Sequence, residues 1–341
     1  MIFKKRKNAR LRHLRKRLAT ASSTRLAASS RKIRMPRPNW SSRRSGTISE
    51  NTCTVRQKTS LRWRSISDLF PNRIGVFEMK VSDICVFMER FAPKALAESW
   101  DNTGFLVGEK DQPCARVMTC LTVTPESVQE AVEKKADCII SHHPMPFRAL
   151  KELTSASTTG KLLRTLIKND IALYCPHTSF DSAPGAGINQ QLADALKLKD
   201  TVPFVPNPDC GGGTGRMGSW ETTGTLALFL EKVRDLFKLP YVQYVGDLDR
   251  PVKKIGIGCG SAGEFLQYAQ RFECDVFLTG ETNFHTCLEA KATGIGLVLM
   301  THFAGEKYAC DRLAEIIRLE FPELEEVWGC ENEKEPLATF F

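Results

Sequence analysis

The chain has 341 residues, 42% hydrophobic and 26% charged, enough for two domains or one large α/β unit. No stretch approaches the roughly 18–20 uninterrupted apolar residues of a membrane span, and no apolar run near the N-terminus resembles a secretory signal. The net charge of +9 is misleading. Residues 1–78 hold 21 of the 48 Lys and Arg but three of the 39 Asp and Glu, leaving the other 263 residues with 27 basic against 36 acidic groups. The foldable part is therefore acidic and repels a phosphate backbone, which argues against nucleic acid as its partner.

Residues 1–78 are rich in Arg and Ser and poor in acids and aliphatics, a composition that cannot bury a core and is expected to be disordered. A transit peptide and a nucleic-acid-binding tail share this bias. The favoured reading is that translation starts at Met79, because "MKVSDICVFMERFAP" opens as an amphipathic helix with Val81, Ile84, Cys85, Met88 and Phe91 at helical spacing. "VMTCLTV" (117–123) reads as a strand, and the helix after it takes Thr124 as N-cap and Pro125 at its first position. "DCIISHHP" and "IALYCPH" read as strands, with "TTGKLLRTLIKND" and "GINQQLADALKL" as helices. This alternation predicts a largely parallel sheet covered on both faces. Pro and Gly crowd 203–219, which reads as a linker between a first half, 79–202, and a second, 220–341. In the second half "TLALFLEKVRDLF" reads as a helix and "KIGIGCGSAGEF" as strand, turn and helix. "CDVFLTG" and "IGLVLMTH" read as strands, and "EKYACDRLAEIIRLEF" as the last helix. The twelve cysteines form no C-x-x-C pair and several sit in apolar runs, as expected of reduced thiols in a cytoplasmic protein.

The chemistry is signalled by position. His142, His143, His177 and His302 stand at or just past the C-terminal ends of predicted strands, where ligands bind in open α/β sheets. Carboxylates follow at matching offsets, Asp181 four residues after His177 and Glu306 four after His302. On a helix the second spacing puts both side chains on one face. Imidazole mixed with carboxylate suits Zn, Mn, Fe or Ni. Five ligands, His142, His143, Asp181, His302 and Glu306, exceed what one catalytic ion needs and fit two. His142 and His143 point to opposite faces of a regular strand, so they serve two ions only if the strand stops there, as Pro144 and Pro146 favour. His177 can alternatively orient Asp181. His285, four residues after Glu281, is either a proton shuttle or a histidine on a helix face. The glycine turn of "GIGCGSAGEF" is a weak anion-site signal. Ser141, Arg148, Lys161 and Asn189 are candidate substrate anchors.

With these residues in hand, the chain from Met79 onward resembles the Nif-three-like di-metal family, whose members are also called GTP cyclohydrolase 1 type 2 homologues. The resemblance is carried by "WDNTGFLVG", "LTVTPESVQEAV", "ADCIISHHP", "HTSFDSAPGAGIN", "GCGSAGEF", "DVFLTGETNFH" and "THFAGE". It implies two α/β lobes, with mixed or largely parallel sheets flanked by helices and a di-metal site between them. It also implies metal ligation by His142, His143, Asp181, His302 and Glu306, with Glu306 bridging, and a compact member without an inserted domain. Assembly as a homohexamer and a small-molecule substrate such as GTP are further implications, with His285 and Glu306 as catalytic residues. Thr122, Glu281 and Thr301 stand where the family usually has Asp, Asp and Gly, and none of the three replaces a ligand. The function these observations favour is a di-metal hydrolase acting on a nucleotide or related small molecule. The alternative is a non-catalytic metal-handling or regulatory protein, such as a metal chaperone or an interaction adaptor.

Overall fold

The computed structural model describes residues 78–338 and 340. The basic segment and the readings attached to it lie outside the described residues, apart from its last residue. Helix α1 (Val81–Phe91) buries all five residues whose spacing marked it, and Phe87 as well. After a 3-10 turn come β1 (Gly104–Val107) and β2 (Arg116–Cys120). Helix α2 (Pro125–Glu133) begins as predicted, with the Thr124 side chain accepting from Ser127 N and Pro125 at the first position. Then follow β3 (Cys138–Ser141), α3 (Thr158–Lys168), β4 (Ala172–Cys175), α4 (His177–Ser182) and α5 (Ile188–Ala195).

The second part runs β5 (Lys199–Val202), β6 (Val205–Pro206), β7 (Gly213–Thr214), β8 (Arg216–Thr225), α6 (Leu226–Leu236), β9 (Gln243–Val245) and β10 (Pro251–Gly258). It closes with α7 (Leu266–Arg271), β11 (Val276–Thr279), α8 (Phe284–Thr293), β12 (Gly296–Leu299), α9 (His302–Glu320) and β13 (Glu326–Gly329). The Pro/Gly-rich stretch is more ordered than its composition predicts. It holds the two-stranded pair β6–β7 and the first residues of β8. The glycines serve turns there: Gly211, Gly213 and Gly215 all have positive φ.

Two sheets carry the structure. The first has order β1-β4-β3-β2-β13, parallel except for β1. The second has order β5-β8-β10-β11-β12-β9, in which only β10, β11 and β12 are parallel neighbours. Both are thus mixed, and the architecture is α/β with helices flanking the sheets. The last strand crosses back to the edge of the first sheet, so each end of the described chain contributes to it. Strands β3, β4 and β11 are buried along their whole length, as expected where both faces are covered.

One apolar core joins the facing sides of the two sheets. It takes Val117, Ile140 and Tyr174 from the first sheet, Ile255, Ile257 and Leu278 from the second, and residues of α1, α5, α6 and α9 between them. Helices α2 and α3 cover the outer face of the first sheet, and α7 and α8 that of the second. Helix α9 places Ala309, Leu313 and Ile317 in the shared core. Its buried stripe begins one turn earlier with a carboxylate, Glu306, where the apolar pattern calls for an aliphatic residue.

Candidate metal centre

Strand β3 ends at Ser141, but His142 N and His143 N still bond to Cys120 O and Leu121 O at 2.9 and 2.8 Å. The chain is held in register through both histidines while its side chains leave strict alternation. The two imidazoles consequently stand 5.0 Å apart on one side. From the second sheet, α9 starts at His302 rather than at Glu306, with Thr301 as its N-cap. His302 and Glu306 are therefore one helical turn apart, with Nε2 and Oε2 separated by 3.0 Å. Asp181 comes from α4, and its Oδ1 lies 3.5 Å from His142 Nε2.

These five residues converge on Glu306. Its Oε2 lies 3.1 Å from His143 Nε2 and 3.6 Å from His142 Nε2. Two groups able to hold a metal ion share this carboxylate: His143, His302 and Glu306, and His142, Asp181 and Glu306. A third comprises His142, His143 and His177.

The donor set fits a cation. His143 Nδ1 lies 2.7 Å from Thr122 Oγ1 and His302 Nδ1 lies 3.0 Å from Glu281 Oε1. The Glu281 carboxylate can only accept, so it favours a protonated Nδ1 on His302, whereas the Thr122 hydroxyl can donate to or accept from His143 Nδ1. The Nε2 atoms of His143 and His302 face each other at 3.2 Å, an arrangement that needs a proton or a metal ion between them. His142 is fully enclosed, and neither of its ring nitrogens has a hydrogen-bond partner. Leaving a buried polar group unpaired costs on the order of 1–3 kcal/mol. Donor atoms 3.0–3.6 Å apart also match neighbours on a coordination sphere of roughly 2 Å radius.

Electrostatics follow from this crowding. Burial alone raises a carboxyl, but the charge of His142 and the hydrogen bonds of His143 and His302 hold Glu306 well below the usual carboxylate range. The hydrogen bond to Glu306 pushes His302 up to about 9 against the opposing effect of burial. Burial pushes Asp181 up and His143 down.

Several supporting residues had no role assigned from sequence, or, as with Asn189, a different one. Gly260, with φ +62°, packs directly on the Glu306 carboxylate, and a Cβ there would fall 2.3 Å from Oε1. Cys259 donates its thiol to Asp181 Oδ1 at 3.1 Å. Asn189 ties α4 to β10, donating to Asp181 O at 3.0 Å and accepting from Cys259 N at 2.8 Å. The His177–Asp181 offset does not make a pair. His177 Nδ1 bonds instead to Asp101 Oδ1 at 2.7 Å, and Asp101 is buried at this contact. "WDNTGFLVG" drew attention to Asp101 without giving it a partner. His285 lies exposed on α8, with its ring 5.9 Å from that of Phe284, and it lines neither cavity beside the cluster. Of the anchor candidates Asn189 alone lines one of them. Ser141 is buried and donates to His143 O at 2.8 Å.

Mixed α/β sheets with, between them, a carboxylate–imidazole cluster able to hold a metal ion define the class, and comparison with known proteins specifies the family. The chain belongs to the Duf34/NIF3 (NGG1p interacting factor 3) family, whose model matches residues 79–336. It is similar to a Clostridium perfringens protein named GTP cyclohydrolase 1 type 2 homolog, with 31% identity over 241 residues, 70% of this chain and 92% of that protein. It is also similar to the Drosophila melanogaster NIF3-like protein 1, with 29% identity over 272 residues, 78% of this chain and 92% of that one. Among solved structures, Staphylococcus aureus protein SA1388 matches with a TM-score of 0.71 and 27% identity, covering 77% of this chain and 99% of that one. Reduced HcgD from Methanocaldococcus jannaschii matches with a TM-score of 0.65 and 27% identity, covering 75% and 100%. No helix among the described residues is long and apolar enough to cross a membrane.

Proposed function

We propose that this protein is a di-metal hydrolase acting on a nucleotide or related small molecule. The observation that carries the reading is the sharing of one buried carboxylate, Glu306, between two ligand groups from different elements. His142 and Asp181 would hold one divalent ion and His143 and His302 the other, with Glu306 between them. A pair of divalent ions supplies Lewis acidity and water activation at neutral pH. Zn, Mn, Fe and Ni all suit these donors.

The chain's own residues fix the geometry. Thr122 and Glu281 orient the rings of His143 and His302 through their Nδ1 atoms, and Gly260 limits the travel of Glu306. Cys259 and Asn189 hold the segment that carries Asp181. The names of the curated relatives support GTP as the first compound to test. Eleven unpaired cysteines among the described residues support a reducing, cytoplasmic setting. Assembly as a homohexamer is part of the same reading and is checked by solution mass.

A metal-handling protein without turnover is the second reading. It is favoured by one observation, that His285, the expected proton donor, lines neither cavity beside the cluster.

The test is metal content per chain by mass spectrometry for the wild type and for Glu306→Ala. Two ions falling below one in the variant supports the di-metal site. One ion or none in both proteins, under metal-replete conditions, overturns it. Release of formate from GTP or guanosine by the loaded wild type separates the hydrolase from the metal-handling reading.

A further inference from the structure

The cavity of about 480 Å³ beside the ligand cluster has an aromatic rim. Trp100 and Phe147 are 61% and 47% exposed, and their rings meet edge to face with centroids 6.1 Å apart. Both stand nearly perpendicular to the His177 imidazole, at 6.1 and 6.2 Å. Asp101 fixes that imidazole from behind, and its ring lies 5.7 Å from that of His143. Ring surface therefore runs from solvent to the donor cluster. Wet aromatic faces at the mouth of a cavity of this size suit a flat ligand, because stacking recovers the apolar area left exposed.

Charge narrows the ligand further. Apart from histidines and Cys259, the titratable residues lining this cavity are Glu98, Asp181, Glu264 and Glu306, of which Asp181 and Glu306 belong to the ligand cluster, and no Lys or Arg lines it. The larger cavity, about 1080 Å³, lies across His143 and His302 and is lined by five glutamates and a single lysine, Lys334. Phosphate sites are ordinarily built from Arg, Lys or helix-end N–H groups. A substrate whose ring reacts at the cluster would have to lay its phosphates along walls whose carboxylates outside the ligand groups, Glu98 and Glu264 in one cavity and the glutamates of the other, repel like charge, most strongly at low ionic strength.

We propose that the site takes a planar heteroaromatic ring without phosphate, a nucleobase or nucleoside, neutral or cationic. The ring stacks on Trp100, meets Phe147 at an angle, and turns one edge toward His177 and the metal ligands. This rests on the di-metal reading for the position of the reacting edge; the stacking and charge arguments stand on Trp100, Phe147 and the acidic walls.

The test is calorimetric titration of full-length, metal-loaded protein with guanosine and adenosine, and then with their mono- and triphosphates. Metal content and solution mass are measured on each sample. The expected result is binding of at least one nucleoside, with affinity falling by tenfold or more from nucleoside to triphosphate. Trp100→Ala is expected to weaken nucleoside binding at least tenfold with metal content unchanged, and Trp100→Phe to restore most of it. Glu98→Gln with Glu264→Gln should strengthen triphosphate binding and leave nucleoside binding unchanged. Tighter binding of triphosphate than of nucleoside overturns the proposal, as does binding that Trp100→Ala leaves intact. Failure of both nucleosides to bind overturns it too. A drop in solution mass on Trp100→Ala does the same, because a second copy of the chain then covers the rings. If the wild type holds no metal the di-metal reading fails, while the stacking and charge comparisons still decide this one.

Discussion

Thr122 Oγ1 lies 2.7 Å from His143 Nδ1, and the two residues come from different strand ends. The Thr122 backbone N–H is held in turn by Glu333 Oε1 at 2.7 Å, and Glu333 Oε2 accepts from Leu121 N at 2.9 Å. A carboxylate from the segment after β13 thus anchors the residue that holds His143 through Nδ1. Partners of metal-bound histidines typically contribute 10–100-fold to metal affinity. Thr122→Val is expected to weaken metal binding by about tenfold or more and to leave the thermal midpoint of the metal-free protein within a few degrees. A chelator-competition titration measures the affinity, and unchanged release of both ions would remove Thr122 from this role.

Gly260 has φ +62° and no room for a side chain against Glu306. Gly260→Ala is expected to cost roughly 1–2 kcal/mol of stability, because the left-handed backbone disfavours a Cβ. It should also displace the Glu306 carboxylate and lower metal content, with secondary structure unchanged. Full metal occupancy in a folded variant would mean that Glu306 does not need its present position.

Thr301 has φ 73° and ψ 148°, a region that glycine occupies easily and other residues at a cost of order 1–3 kcal/mol. Its side chain offsets part of this by accepting from Ala304 N at 3.2 Å, and replacing such a cap with glycine costs only a few tenths of a kcal/mol. Thr301→Gly is therefore expected to stabilise the metal-free protein by about 1 kcal/mol, read from chemical denaturation. Destabilisation would show that the cap outweighs the backbone strain. The resemblance that places glycine before the last histidine now has a conformational reason.

Glu130 is buried beneath the C-terminal segment, where it accepts from Trp328 Nε1 at 2.9 Å and from Glu331 N and Asn332 N at 3.1 and 3.0 Å. Burial alone raises its carboxyl, but these hydrogen bonds bring it below the ordinary glutamate range. A lowered folded-state value stabilises the fold above the unfolded-state value of about 4.3. That stabilisation is lost as pH falls through the folded-state value. Glu130→Gln is expected to cost on the order of 1–3 kcal/mol at neutral pH, with the gap to wild type closing below about pH 4.3. A gap independent of pH would assign the loss to packing and not to charge.

Local pattern determined a good deal. Apolar periodicity and capping residues marked α1, α2, α3 and α5, since each buries a stripe legible within a dozen residues. The buried central strands were legible as short apolar runs ending in histidine. The i, i+4 spacing of His302 and Glu306 predicted one helix face, and the helix supplies it. Tertiary structure decided the rest, because it depends on contacts between segments far apart in the chain. His177 turned to Asp101, 76 residues away, and not to its near neighbour Asp181. The strand β13 left the second half to pair with β2, a choice made by the free edge of the first sheet. Residues 203–219 looked like pure loop because glycine and proline mask short strands. The convergence of two ligand groups on Glu306 was implied by the family resemblance and by the number of donors, but no spacing records that α4 and α9 pack across a shared core. Sequence supplied the donors, and packing of the two sheets decided which of them meet.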